Sequence, residues 1–286
     1  MNRRDFVLST TAAAAGLRLP AAAAATPGSG PGFHLGAVTY NTLKEFDVPT
    51  IIRVLEGAGF EAVELRTSHK HGVEPSMGRE ERARVRGLFE KSKVRLVSYG
   101  TTCRFQSPDP AERAKQLEIG KQFADLARDT GAIGIKMQPM EFPAEVPVAT
   151  TIKNFGASLR ELGDYGASRS VEIWVEVHGR ASVPAVAAAL MEAAGHKNVG
   201  LCWNSNPADI VNGSVKQSFE LLKPWLRSVH INDLANGRYP WRELFALLRG
   251  AGYDRYTLAE VGESKEPERF LNTYRVLWTE MNRSCA

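Results

Sequence analysis

Cysteine is scarce: three occur in 286 residues, Cys103, Cys202 and Cys285. An odd, sparse set provides no disulfide framework, so stability must come from packing. Long apolar runs are missing as well. No run of roughly 18 apolar residues occurs beyond the extreme N-terminus, which excludes a transmembrane helix there. Lysine and arginine never gather into a basic block, and nucleic acid drops out as an expected partner. A glycine-rich phosphate loop is also absent. The first strand-like run continues as VTYNTLKEF, where a doubly wound dinucleotide fold would need its glycines. What is present is an ordinary globular composition, 43% hydrophobic and 24% charged, with enough apolar surface for a sizeable core.

The first 26 residues stand apart from the rest. Arg3 and Arg4 precede Phe6, Val7 and Leu8, an Ala-rich stretch follows, and small residues fill Ala21 to Ala25. This resembles a twin-arginine export signal, with Arg3-Arg4-Asp5-Phe6-Val7 in the place of its core. The resemblance implies that residues 1–26 are removed, that 27–34 form a linker, and that residues 35–286 work in the periplasm or outside the cell. Loss of Arg3, Arg4, Arg18 and Asp5 takes the formal charge from +4 to +2.

Eight strand-like runs then alternate with helix-like stretches. The first four are LGAVTY from Leu35, FEAVELR from Phe60, VRLVSYG from Val94 and AIGIKMQ from Ala132. The second four are VEIWVEVH from Val171, NVGLCWN from Asn198, LRSVHIND from Leu226 and YTLAEVG from Tyr256. Asp47 before Val48-Pro49 reads as an N-cap and Gly59 as a C-terminal glycine. Ser107-Pro108-Asp109-Pro110 opens a long helix that stops near Gly131, and Asp209, Trp241 and Pro267 fall near the starts of three later helices. Eight β-then-α units without an internal linker predict an α/β protein, a single (β/α)8 TIM barrel.

Alternation along the strands separates an inward from an outward phase. In the fifth run Glu172, Trp174, Glu176 and His178 oppose Val171, Ile173, Val175 and Val177. Ser228, His230 and Asn232 share the inward phase of the seventh, Cys202 and Asn204 of the sixth, and Tyr256, Leu258, Glu260 and Gly262 of the eighth. Glu176, Asn204, His230 and Glu260 therefore converge from four consecutive strands at the end where barrel enzymes keep their active sites. Such a mainly oxygen donor set suits Mn2+, Mg2+ or Co2+, and admits Zn2+. Without a cation, one of two carboxylates buried together would have to hold a proton.

Other polar residues are candidates for the substrate wall. His69 and His71 in RTSHKHGVEP fall near the barrel mouth, as substrate ligands or as an exposed loop. Lys136 and Gln138 share the inward phase of the fourth run, against Ile133, Ile135 and Met137. A lysine there is costly unless paired or near solvent, and substrate contact is expected of it. Glu64 and Arg66 are expected to form a structural ion pair. Cys103 has no histidine that the sequence places beside it and is not expected to act as a nucleophile.

The ordered set of motifs resembles the xylose-isomerase-like barrel superfamily, the sugar phosphate isomerases/epimerases. VEVH at Val175 to His178 matches the glutamate-bearing fifth strand, VHIND at Val229 to Asp233 the seventh-strand H-x-x-D signature, and LAEVG at Leu258 to Gly262 the eighth-strand glutamate. GAGFEAVELR from Gly57 to Arg66 is similar to the second unit. The resemblance implies a metal-dependent isomerase or epimerase acting on a sugar or keto-sugar through an enediolate. Glu176 and Glu260 would be catalytic, and Glu176, Asn204, His230 and Glu260 would hold the metal. His69, His71, Lys136, His178 and Asp233 would meet the substrate. A lyase cleaving 3-keto-glycosides by β-elimination and a non-catalytic carbohydrate-binding barrel stay open, as does a homo-oligomer. Export argues against a phosphorylated substrate and favours a free sugar, keto-sugar or glycoside. Two positions depart from the pattern. Asn204 stands where the family has an aspartate, and Pro207 where its ketose 3-epimerases have a histidine.

Overall fold

The computed structural model describes residues 32–283. The expected export signal, most of the expected linker and Cys285 lie outside the described residues. Eight parallel strands close into one barrel in chain order. They are β1 His34–Asn41, β2 Ala62–Arg66, β3 Arg95–Thr101, β4 Gly134–Met137, β5 Glu172–Glu176, β6 Val199–Trp203, β7 Leu226–Ile231 and β8 Tyr256–Val261. Each expected run forms its strand. The intervening helices are α1 Val48–Ala58, α2 Arg79–Glu90, α3 Pro110–Thr130, α4 Val148–Ala167, α5 Pro184–Ala194, α6 Lys216–Leu222, α7 Trp241–Gly250 and α8 Pro267–Arg283.

Helix boundaries follow local chemistry. The Asp47 carboxylate accepts from Thr50 N at 3.0 Å, and Gly59 ends α1 at φ 70°. The Asp109 carboxylate accepts from Ala111 N at 2.9 Å, and Gly131 ends α3 at φ 80°. A positive φ is the backbone state that only glycine takes without a Cβ clash. Trp241 and Pro267 open α7 and α8 as expected. Asp209 does not start a helix: it closes a short 3-10 turn, Pro207–Asp209, and α6 begins only at Lys216.

Apolar packing falls into two bodies. The larger lies between strands and helices, where the outward residues Ile173, Val175, Leu201, Val229 and Ile231 meet the buried faces of the helices. The smaller fills the barrel itself: Val38, Ala62, Val97, Trp174, Cys202 and Leu258. Ile133, assigned by phase to the outward set, packs against this inner group because it lies just ahead of β4. Trp174 anchors the plug. Its indole N–H donates to Glu172 Oε2 at 2.7 Å, and Arg255 binds that same oxygen at 2.8 Å. The Arg255 guanidinium also lies over the indole at 5.4 Å.

In β3 the ladder with β2 slips by one residue between Leu96 and Ser98, so Val97 is unpaired. This bulge lets Val97 join the inner plug while the next residue, Ser98, also reaches the interior. Strict alternation would send one of the two outward.

Close approach of three strands fixes one glycine. A Cβ on Gly36 would meet Leu258 Cδ2 at 2.5 Å and Ala62 O at 2.8 Å. Gly57, in α1, has open space around it. We therefore expect Gly36→Ala to cost about 1–3 kcal/mol by overpacking, and Gly57→Ala to stabilise by up to about 1 kcal/mol through helix propensity. Urea unfolding of both variants checks this, and equal effects would refute it.

Candidate metal and catalytic site

Directly above the plug the interior becomes charged. Glu64, Glu176 and Glu260 each stand two residues beyond an inner-plug residue on β2, β5 and β8, Ala62, Trp174 and Leu258. Lys136 enters from β4 and His230 from β7. The Lys136 ammonium donates to Glu176 Oε2 at 2.8 Å and lies 3.3 Å from Glu64 Oε1. The His230 ring sits between the carboxylates. Its Nδ1 is 3.4 Å from Glu260 Oε2 and 3.6 Å from Glu176 Oε1, and its Nε2 is 3.5 Å from Glu64 Oε2. Ser98 donates to that Glu64 oxygen at 2.7 Å.

All of these groups are buried except Glu260, which is partly exposed. Burial alone would push the carboxyl of Glu64 up. Lys136, then His230, outweigh it and hold the group down at about 2. Glu176 is likewise held well below the usual carboxylate range against its burial, chiefly by Lys136. Lys136 is raised despite its burial by Glu176 and Glu64. Burial opposes a charge on His230, yet the facing carboxylates of Glu260 and Glu64 help raise it well above the usual imidazole value.

Several buried atoms have no hydrogen-bond partner: Glu176 Oε1, Asn204 Oδ1 and both ring nitrogens of His230. Buried polar atoms are rarely left so. One atom each from Glu176, His230 and Glu260 lies within 4.8 Å of the others, the arrangement a metal ion would draw together. Charge agrees. Glu64, Glu176 and Glu260 carry three negative charges against one on Lys136, and the two left over match a divalent ion beside a neutral imidazole. The residues present therefore fit such an ion, with Glu64 placed to hold His230 Nε2–H and leave Nδ1 as donor.

This centre opens into a cavity of about 420 Å³. Tyr40 and Asn41 from β1, Arg66 from β2 and Gln138 after β4 line it, with His178, Asn204, Asn232, Glu176 and Glu260. The positions expected from sequence fare differently. Glu176, His230 and Glu260 come together, and Asn204 lines the cavity with Glu176 and Glu260. Lys136 is spent on carboxylates beneath the cavity, where it does not line the wall. His178 lines the cavity, with Nδ1 3.2 Å from Pro139 O.

Both His71 nitrogens bind its own loop, Nε2 to Arg66 O at 2.8 Å and Nδ1 to Val73 N at 3.0 Å. His69 Nδ1 pairs with Thr39 Oγ1 at 2.9 Å, and burial lowers the ring to about 4, so it is neutral. Asp233 is exposed and accepts from Ala235 N at 2.9 Å. Cys103 is buried, which pushes its thiol up to about 12.

The expected Glu64–Arg66 pair does not form. Both share the inward phase, but Glu64 ends in the buried layer with Lys136, whereas Arg66 lies at the mouth over the Tyr40 ring at 5.5 Å. Sequence reasoning thus missed Glu64 as the partner of Lys136 and His230. The available signal was Lys136 itself, since a buried ammonium calls for an inward carboxylate nearby. It also missed Ser98, which the bulge conceals, and Tyr40 with Asn41, whose place at a strand's C-terminal end was the clue. Asp209, the next carboxylate after Asn204, is engaged by its own loop. Its Oδ2 accepts from Asn206 N at 2.8 Å and Tyr239 OH at 2.9 Å, pinning the loop after β6, while Tyr239 accepts from Trp203 Nε1 at 3.1 Å.

A closed eight-stranded barrel with a carboxylate–imidazole cluster at the C-terminal ends of its strands defines a (β/α)8 protein whose cluster a divalent ion would fit. The family model described as xylose isomerase-like TIM barrel matches residues 52–277, and the chain belongs to that family. Solved structures share the fold at low identity. An L-ribulose 3-epimerase aligns with TM-score 0.74 at 16% identity, covering 88% of this chain and 95% of that one. The IolI protein with a zinc atom aligns with TM-score 0.73 at 14% identity, covering 89% and 99%. A 3-keto-D-glucoside 4-epimerase from E. coli aligns with TM-score 0.71 at 14% identity, covering 86% and 99%. No curated protein sequence matches the chain.

Two predictions follow from these networks. Lys136→Met leaves Glu64 and Glu176 without their cation and should cost about 3–5 kcal/mol. Adding Glu64→Gln should recover part of that loss, and urea unfolding of the single and double variants reads both effects. Asp209 is fully buried, and burial raises its carboxyl to about 7. An acid raised on folding favours the folded state only while protonated. Its contribution is full below the unfolded value and is lost as pH rises to about 7, on the order of 3–4 kcal/mol in all. Asp209→Asn should therefore gain stability relative to the parent as pH rises from 4 to 8. A pH-independent difference in melting temperature would refute this assignment.

Proposed function

We propose that the protein is a metal-dependent sugar isomerase or epimerase that acts on a sugar or keto-sugar through an enediolate. The observation that carries this reading is the pair of carboxylates, Glu176 and Glu260, brought from β5 and β8 to one imidazole at the floor of a polar cavity. Membership of the xylose isomerase-like family and a fold shared with sugar epimerases support it. The reading is of an exported enzyme, on the strength of Arg3-Arg4 and the Ala-rich stretch that follows.

A divalent ion held by Glu176, Asn204, His230 and Glu260 would polarise the substrate carbonyl and acidify the neighbouring C–H. The chain's own groups do the rest. Glu176 comes from β5 and Glu260 from β8, and of these two carboxylates one removes the α-proton and the other returns a proton from the other face. Lys136 keeps Glu176 ionised and fixes its Oε2, leaving Oε1 as the free oxygen. Glu64 and Ser98 orient His230 from below. His178, Gln138, Asn41 and Asn232 offer hydrogen bonds to substrate hydroxyls along the wall.

The test is exchange of substrate α-protons in D2O across a panel of ketoses, with metal content read by elemental mass spectrometry. Glu176→Gln and Glu260→Gln should each lower exchange by about 10²–10⁴-fold. Asn204→Asp adds a charge to the ligand set and should tighten metal retention by on the order of tenfold or more. A protein that retains no metal and exchanges no proton would sink the reading.

A further inference from the structure

Arg66 is the one lysine or arginine lining the cavity among the described residues, and it has no anion. No carboxylate pairs with its guanidinium, and its side chain makes no hydrogen bond among the described residues; its contact is the Tyr40 ring at 5.5 Å. Two other lysines are answered by carboxylates: Lys136 has Glu176 and Glu64, and Lys44 has Glu263. Glu64, the carboxylate nearest in sequence, is taken by Lys136, Ser98 and His230. A partly buried guanidinium without a counter-charge is costly. The Tyr40 ring supports its face, so its planar N–H edge is free to grip a carboxylate through two parallel hydrogen bonds.

The floor of the same cavity fixes its charge. The Asn204 amide oxygen, which would serve the ion as a ligand, is buried, lacks a hydrogen-bond donor and carries no charge. Charge then selects the ligand. With a divalent ion the catalytic centre is neutral, and Arg66 leaves the cavity with a single positive charge. A carboxylate monoanion matches it, whereas a phosphate dianion would need donors beyond one guanidinium.

We infer that the substrate is a sugar acid, a keto-sugar bearing a carboxylate, and that Arg66 holds that carboxylate and sets specificity. This deepens the proposed function and rests on it. The experiment uses metal-loaded protein and two matched pairs of probes, D-fructose with D-fructuronate and D-tagatose with D-tagaturonate, in calorimetric titration and in D2O exchange.

The acid member of a pair should bind about 10–100-fold tighter than the neutral one. Arg66→Gln should erase that preference by weakening acid binding about 10–100-fold, and Arg66→Lys should keep only part of it, having the charge without the fork. Equal binding of acid and neutral members, an acid preference that survives Arg66→Gln, or a stronger preference for fructose 6-phosphate would each overturn the inference. Proton exchange on neutral ketoses without acid preference would overturn it and leave the proposed function standing. Tight, Arg66-dependent acid binding with no exchange by any probe would support the carboxylate site and sink the isomerase reading.

Discussion

One ammonium group governs the interior of this barrel. Lys136 reaches from β4 between Glu64 on β2 and Glu176 on β5, and all three are buried above an apolar plug. Two carboxylates in so dry a place would otherwise take up protons. Lys136 keeps both ionised, and two further properties depend on that. Glu64, as an anion, stands against His230 Nε2 and orients the ring, and Glu176, as an anion, presents its second oxygen to the ring's other side. The plug beneath makes this arrangement stiff. Trp174, Val97 and Leu258 exclude water from below, so the charged layer answers to itself and to whatever enters from the mouth.

The division between plug and charged layer is written into strand periodicity. Glu172, Trp174, Glu176 and His178 are one inward series on β5, passing from the Arg255-bound floor through the plug and the carboxylate layer to the cavity wall. Four consecutive inward positions thus trace the axis of the barrel. The same climb occurs on β6 from Cys202 to Asn204, and on β8 from Leu258 to Glu260. A site built on strand ends over packed layers is held by the scaffold, and this is the physical reason the barrel's C-terminal face hosts chemistry.

That regularity also marks what the sequence made legible and what it concealed. The eight strands and the convergence of Glu176, Asn204, His230 and Glu260 could be read because alternation is strict on β5 to β8 near their ends. Where alternation breaks, reading fails: the bulge at Val97 brings Ser98 inward against the period. Pairing was harder than placement. Glu64 and Arg66 share a phase and are two residues apart, which suggested partnership. A separation of two residues along a strand instead puts them in different layers, one dry and one at the mouth. The histidines of RTSHKHGVEP show the converse difficulty. Nothing in their spacing tells that His71 binds backbone on both nitrogens. Asp209, expected near a helix start, serves loop geometry through Asn206 and Tyr239.

Asn204 gains a physical sense from the same charge balance. The Glu64–Lys136 pair is neutral by itself, so the charge felt in the cavity is set by Glu176, Glu260, position 204 and the ion they would hold. With an aspartate at 204 the sum is one negative charge beside a divalent ion; with the asparagine found here it is zero. A negative centre suits a neutral polyol, whose hydroxyls it can acidify without repulsion. It would repel a carboxylate entering the same 420 Å³ cavity, and at separations of several ångströms in a partly dry site such repulsion is worth kcal/mol rather than tenths. The amide removes that repulsion and keeps an oxygen pointing to the same space. Arg66, unpaired at the mouth, supplies the attraction. The two residues reinforce each other: one takes a negative charge from the floor, the other leaves a positive charge on the wall, and both shift the cavity toward an anionic guest.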